Sequence, residues 1–304
     1  MQTLFVVPFE DEALSSWLMR LAINSNSHAT EYYSSICKIN GIWYRDIDRS
    51  TPIGFYECLS HRLPYSITEI QELSLSSLNG YLYEFDNPNG INKWIRQLSF
   101  IGRKPKNSHF AYCPSCLSEP NGYFKKLWRT RIINICSKCG CYLRDTCPNC
   151  FFPIHFFRKS NLLKNEISVN LIKCFNCNKN ICDIKYEYAP QRLIDSTRKI
   201  EKIIKSGHHI DFNYSFLYFD TLYQVYKTLV LHFGILPPFN FETQSKLINI
   251  SMWLLDEFPN NIVLISKNRK ISKSVWLKDF YQNRFHFNNE ITHHLSKLKL
   301  TQFD

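Results

Sequence analysis

Four Cys-x-x-Cys pairs lie between residues 113 and 177: Cys113/Cys116, Cys136/Cys139, Cys147/Cys150 and Cys174/Cys177. The chain holds 12 cysteines in 304 residues, and random placement of that many gives roughly half of one such pair, so the clustering has a cause. Two intervening residues let a tight turn aim two sulfurs at one ion, while turn N–H groups stabilise the thiolate charge. Two such turns close a four-sulfur tetrahedral site, a structural zinc geometry with no position left open for a reacting water. The expected cofactors are therefore two structural Zn2+ ions.

Sequential pairing puts Cys113, Cys116, Cys136 and Cys139 on one ion, with 19 residues between the pairs. Cys147, Cys150, Cys174 and Cys177 then hold the second, with a spacer of 23. The spacing rule favours this arrangement; an interleaved one is also open, because only Gly140 to Thr146 separate the middle pairs. Cys141 and Cys182 are spare: each could replace a neighbouring ligand, and a free buried thiol is the expected reading. Disulfides in this block would need an oxidising compartment, and the start of the chain reads as lacking an export signal: the apolar run Leu4 to Val7 is short and runs into acids. No apolar run reaches the length of a membrane span; Thr228 to Leu236 is interrupted by His232. A cytoplasmic, bacterial and nucleoid-associated protein is expected, with no membrane partner.

A net charge of +11 points to an anionic partner, most often nucleic acid. With 9 glycines and no Gly-x4-Gly-Lys-Ser/Thr pattern, the chain is not a phosphate-loop nucleotide fold. Catalysis finds no support either. Asp211, Asp220, Asp256 and Asp279 form no ligand grouping with the histidines. His208-His209 and His293-His294 are adjacent pairs, and adjacent helical residues point apart.

The fold class expected is mainly α with a small zinc-ribbon-like module. Residues 1–80 read as an N-terminal helix-turn-helix-like domain, 81–110 as a connector, 111–185 as a double zinc-binding module and 186–304 as a C-terminal helical bundle. In residues 11–26, Leu14, Trp17, Leu18, Leu21 and Ala22 make one apolar stripe, with Glu10, Asp11 and Glu12 suiting the helix dipole. Asn24 to His28 is a turn. A short helix follows Thr30, burying Tyr33, Ile36 and Cys37, and another runs from Gly54 to Leu63. Ser66 and Glu69 form a capping box for a helix with Ile67, Ile70 and Leu73 inward. From periodicity alone a plain bundle fits these helices at least as well as a helix-turn-helix, since none is richly basic.

In the connector, Asn87-Pro88-Asn89-Gly90 signals a turn, and Trp94, Ile95 and Leu98 suggest a short docking helix. Candidate nucleic-acid contacts are Arg103, Lys104 and Lys106, and then Lys125, Lys126, Arg129 and Arg131, which alternate with Tyr123, Phe124 and Trp128. For the latter run, packing is expected of the aromatics and solvent or phosphate of the cations. Further helices are expected over Asp195–Ser206, with Arg198, Lys199, Lys202 and Lys205 on a basic face, over Phe219–Phe233, and over Thr243–Phe258 with Leu247, Ile250, Trp253 and Leu254 inward. The last two, Ser272–Arg284 and Asn288–Leu300, carry Lys273, Lys278, Arg284, Lys297 and Lys299.

The N-terminal run Pro8-x-x-Asp11-Glu12-x-Leu14-x-Ser16-Trp17-Leu18-x-Arg20-Leu21-Ala22 resembles the opening of the TniQ/TnsD family of transposition target-selection proteins. The resemblance continues, in order, through Tyr112-Cys113-Pro114-x-Cys116-Leu117, Gly122-Tyr123, Leu127-Trp128-Arg129, Cys136-x-x-Cys139, Leu143 and Cys147-Pro148-x-Cys150. It covers about the first half of the chain. Cys139 stands where the family often has histidine, and either residue serves zinc. Beyond that half, Trp253-Leu254-Leu255-Asp256-Glu257-Phe258-Pro259 is the most similar piece. The resemblance implies a non-catalytic adaptor that links target DNA, or a CRISPR RNA-guided effector complex, to the transposition AAA+ ATPase and through it the transposase. It adds weight to the helix-turn-helix reading and leaves a homodimer open. The competing expectation is a zinc-containing DNA-binding regulator unrelated to transposition.

Overall fold

The computed structural model describes residues 5–85, 87, 92–98, 110–155, 170–232, 239–256 and 260–269. Within these the protein is mainly helical and has no strand, only isolated β-bridges, most of them around the cysteine turns. It divides into two compact units, one of residues 1–79 and 85–197, the other of residues 80–84 and 198–304.

The first unit opens on an extended arm held down by side chains. Trp17 Nε1 donates to Val6 O at 2.8 Å, and the Arg20 guanidinium stacks 4.4 Å over the Phe9 ring. Helix α1 (Leu14–Asn24) follows, and eight of its eleven residues are buried. It is thus enclosed on more than the single stripe expected from periodicity, because Ser15 and Ser16 are buried through hydrogen bonds. The acids before it do not sit in its first turn. Asp11 pairs with Lys125 at 2.7 Å, and Glu12 is buried, pairing with Arg20 at 2.5 Å and accepting from Ser16 Oγ at 2.8 Å. These carboxylates are tertiary anchors rather than dipole complements.

A turn leads to α2 (Ala29–Cys37), N-capped by His28, whose side chain accepts from Thr30 N. Tyr33 is buried between the two helices and donates to Leu18 O at 2.7 Å. Helix α3 (Phe55–Ser60) starts after Gly54, which takes the left-handed φ of +76°. Cys37 and Cys58 form a disulfide between α2 and α3. No sequence spacing had signalled it. Helix α4 (Ile67–Glu72) has the expected capping box: Glu69 N donates to Ser66 Oγ and Ser66 N to Glu69 Oε2. Ile70 and Leu73 are buried, whereas Ile67, in the first turn, faces solvent. No docking helix forms at Trp94; residues 93–94 make a turn, with Ile95 N donating to Asn92 O at 3.1 Å, and Ile95 bridges Thr130.

The segment 123–131, between the first two cysteine pairs, is threaded into this helical domain. Ala13 N donates to Phe124 O at 2.9 Å, Lys126 N to Asp11 O at 2.8 Å and Phe124 N to Ser16 Oγ at 3.0 Å. Phe124 and Trp128 are core residues, as packing required. Arg129 corrects the reading of its run as solvent or phosphate contacts. It is 1% exposed, with Nη2 2.5 Å from Asp46 Oδ2 and Nη1 bonded to Asp48 Oδ2. Asp48 also accepts from Ser15 N at 2.7 Å and Ser15 Oγ at 2.8 Å, so one buried carboxylate joins α1 to the cysteine module.

Helix α6 (Gln191–Ser206) begins four residues earlier than periodicity suggested. Leu193 and Ile194 pack with Ile135, Ala189 and Tyr142 in a small core of the first unit. In the second unit, Ile200, Ile203 and Ile204 are buried, and Arg198, Lys199, Lys202 and Lys205 are exposed. The unit continues through α7 (Ser215–His232), α8 (Phe241–Leu255) and α9 (Asn260–Arg269), with α7 packed on α8 and α8 on α9. Helix α9 was not expected. Ile250 is exposed rather than inward, because the buried face of α8 runs through Leu247, Ile248, Met252 and Leu255. The helices expected over 272–284 and 288–300 lie outside the described residues.

Two measurements check this packing. Replacing Arg129 with Leu strands the buried Asp48 and the partly buried Asp46 and should cost about 3–5 kcal/mol in urea denaturation, while Lys138→Ala, at an exposed pair with Glu119, should leave stability unchanged. Burial pushes the Glu12 carboxyl up to about 7, outweighing Arg20, Ser16 and the Phe9 N–H. The folded state thus holds this proton more tightly than the unfolded chain. The resulting stabilisation is complete below about pH 4.5 and is lost as pH rises through about 7. Across that window wild type should lose up to about 3 kcal/mol relative to Glu12→Gln, read from paired melting curves.

Candidate metal centres

Three of the four cysteine pairs fold into the same turn. In each, the N–H of the residue after the second cysteine donates to the carbonyl of the first: Gly140 to Cys136 at 2.7 Å, Phe151 to Cys147 at 2.9 Å and Asn178 to Cys174 at 2.8 Å. In each, the first cysteine's N–H returns the bond one residue further on, to Cys141, Phe152 and Lys179 at 2.9, 2.8 and 2.9 Å. The residue after the second cysteine takes a left-handed φ: +74° at Gly140, +55° at Phe151 and +58° at Asn178. Glycine and asparagine tolerate that region, whereas phenylalanine occupies it at a cost of about 1–2 kcal/mol. The first pair is built differently. Cys113 N-caps the short helix α5 (Pro114–Leu117), with Pro114 at its first position, and Cys116 N donates to Cys113 Sγ at 3.4 Å.

These turns bring the sulfurs together in two groups. The Sγ atoms of Cys113, Cys116, Cys136 and Cys139 all lie within 4.8 Å of one another, and so do those of Cys147, Cys150, Cys174 and Cys177. The Cys116 sulfur lies 3.5 and 3.3 Å from those of Cys136 and Cys139. In the second group they are 3.7 Å for Cys147–Cys177 and 3.6 Å for Cys150–Cys174. Tetrahedral zinc with sulfur bonds near 2.3 Å sets ligands about 3.8 Å apart. The donor set and its spacing fit such an ion in both places, so each cluster could hold a metal. The grouping is sequential along the chain.

Electrostatics point the same way. Hydrogen bonds from Cys113 and Cys116, together with the N–H groups of Cys139 and Lys138, hold the Cys136 thiol well below the ordinary range. Cys113 is pushed up by its hydrogen bonds to Cys116, Cys136 and Cys141. Four thiols this close cannot all ionise by themselves; a divalent cation removes that repulsion. At Cys150 burial raises the thiol, but bonds from Asn176 and Phe152 N–H more than offset it, to about 7. Cys182 stands apart from both groups, and burial pushes its thiol up to about 12, the behaviour of a free buried thiol.

The cationic candidates are scattered in role. Arg103, Lys104 and Lys106 lie outside the described residues. Lys125 is half-buried on Asp11, and Lys126 donates to Glu72 O and Ser77 Oγ. Arg129 is in the core, and Arg131 is exposed. Sequence reasoning missed the buried Asp48 and the partly buried Asp46, for which local patterning carries no signal.

A helical domain threaded by its own cysteine loop carries two four-sulfur clusters, each of which could hold a metal ion. Residues 3–143 match the model of the TniQ family. The match includes the first cysteine cluster and ends before the second. No curated protein matches the chain. Among the described residues no helix is long and apolar enough to cross a membrane.

Cys113→Ser and Cys147→Ser should each release one metal ion per chain and lower the melting temperature, because ion binding carries much of a small module's folding energy. Elemental analysis with thermal denaturation checks this. Unchanged metal content and melting in both variants would contradict the ligand assignment.

Proposed function

We propose that this protein is a non-catalytic target-site adaptor of a transposon. In this reading both four-cysteine clusters hold zinc. The adaptor links target DNA, or a CRISPR RNA-guided effector complex, to the transposition AAA+ ATPase, which brings in the transposase. The observation that carries the reading is the TniQ-domain match over residues 3–143, the same residues that build the threaded helical domain and the first cluster.

Two observations bear on how a target would be met. Helix α2, the second helix of the helix-turn-helix-like pair, contains no lysine or arginine and carries Glu31 in its first turn. It is poorly suited to a phosphate backbone. The exposed basic face of α6, with Arg198, Lys199, Lys202 and Lys205, is better suited.

The test is binding of purified, metal-loaded protein to a transposition AAA+ ATPase and to target DNA over a salt series. The adaptor reading expects ATPase binding. Direct DNA reading expects affinity to fall steeply with salt, and Arg198→Glu with Lys202→Glu to weaken binding about tenfold or more. A salt-insensitive interaction with an effector complex instead assigns the guided route. DNA binding without any ATPase binding would overturn the adaptor reading in favour of a regulator outside transposition.

A further inference from the structure

A cavity of about 350 Å3 opens between the N-terminal arm and α4, within the first unit. Its walls are aromatic: Phe9 from the arm, Trp17 from α1 and Tyr65 just before α4. These rings are fixed by their neighbours. Trp17 Nε1 is tied to Val6 O, and Tyr65 meets Trp17 edge-on at 5.6 Å and stacks on Phe5 at 5.4 Å. Phe9 stacks on Tyr123 at 4.3 Å.

The rim is acidic. Glu10 stands on the arm, and Glu69 and Glu72, three residues apart, share one face of α4; all three are exposed. Hydrogen bonds from Ser66 hold the Glu69 carboxyl below the usual carboxylate range, so it is charged at neutral pH. The lining includes one cation, Lys126, and its Nζ is already bonded to Glu72 O at 2.5 Å and to Ser77 Oγ at 2.7 Å. On a chain of net charge +11 this is a local excess of negative charge, the wrong sign for nucleic acid and the right one for a cation.

The same unit shows twice what a ring beside a carboxylate holds. Arg20 lies 4.4 Å over the Phe9 ring and pairs with Glu12 at 2.5 Å. Arg129 lies 4.7 Å over the Phe110 ring and pairs with Asp46 at 2.5 Å. A planar, weakly hydrated guanidinium can meet a ring and a carboxylate together, which a compact ammonium does less well. The cavity repeats the combination of ring and carboxylate, and no arginine is among its lining residues.

We propose that this cavity receives an arginine side chain of a partner protein, with the guanidinium against the rings and its N–H groups on the Glu69 and Glu72 carboxylates. Because the rim residues are exposed, the backbone that carries the arginine can lie outside the cavity, along α4. The inference rests neither on metal in the cysteine clusters nor on the adaptor reading.

Full-length protein is screened against fluorescent heptapeptides with a central arginine and varied flanks, and the tightest binder is remade with citrulline at the centre. Citrulline keeps the shape and removes the charge, so fluorescence anisotropy should show affinity falling about tenfold or more. Glu69→Gln with Glu72→Gln should weaken the arginine peptide by a similar factor. Glutamine at position 69 still closes the capping box with Ser66, and an unchanged melting curve checks that α4 survives. Tyr65→Leu should weaken binding through loss of a wall, whereas Glu119→Gln, at an exposed acid elsewhere, should not. The proposal is overturned if no peptide binds, if the citrulline peptide binds equally well, or if the double variant and Tyr65→Leu both keep wild-type affinity. Free arginine that competes as strongly as the peptide would overturn a partner protein as the occupant, in favour of a small cation.

Discussion

Eight thiols crowded into two groups, each within 4.8 Å, form the constraint on which the centre of this protein depends. Such crowding is unfavourable for bare thiolates and favourable around a divalent ion. The turns that produce it are short and repetitive, and they leave little chain for an apolar core. A small apolar cluster beside them, Ile135 with Ala189, Leu193 and Ile194, borrows half its residues from the start of α6. The module packs Tyr112, Phe124, Trp128, Ile133 and Leu143 as buried residues, and its two sulfur groups could each hold an ion.

The module is also not independent of the helices before it. The segment joining its first two turns crosses α1 and ends at Arg129, whose guanidinium is buried against Asp46 and Asp48. Asp48 is in turn held by Ser15 at the start of α1. A buried ion pair is weak evidence for net stability but a strict condition on geometry, since either partner alone is costly. Its effect here is to fix one way in which the cysteine module and the helical domain fit together. The TniQ match spans both parts, which agrees with their being one structural unit.

This arrangement spends cations that a reading of charge alone assigns to a partner. Lys125, Lys126 and Arg129 are held by Asp11, by Glu72 O with Ser77, and by Asp46 with Asp48. Among the described residues the exposed basic face of α6 is where several cations lie on one helix. A chain of high net charge thus separates into cations that hold the fold and cations that face outward. Only the latter can contribute to association with an anionic partner.

The sequence by itself determined the cysteine turns, the Ser66–Glu69 capping box, the helical character and the family of the first half. All of these are local: they depend on residues two to four apart, or on ordered short motifs. Gly140 and Asn178 are residue types that tolerate a left-handed φ, whereas Phe151 adopts the same geometry without any such preference. Tertiary structure alone decided that Glu12 and Arg129 are buried, that Ile67 and Ile250 face solvent, that Cys37 meets Cys58, and that Cys141 points at Cys113. Each of those outcomes is set by what packs against a residue from elsewhere in the chain. Hydrophobic periodicity and charge patterning describe one segment at a time, so they cannot report it.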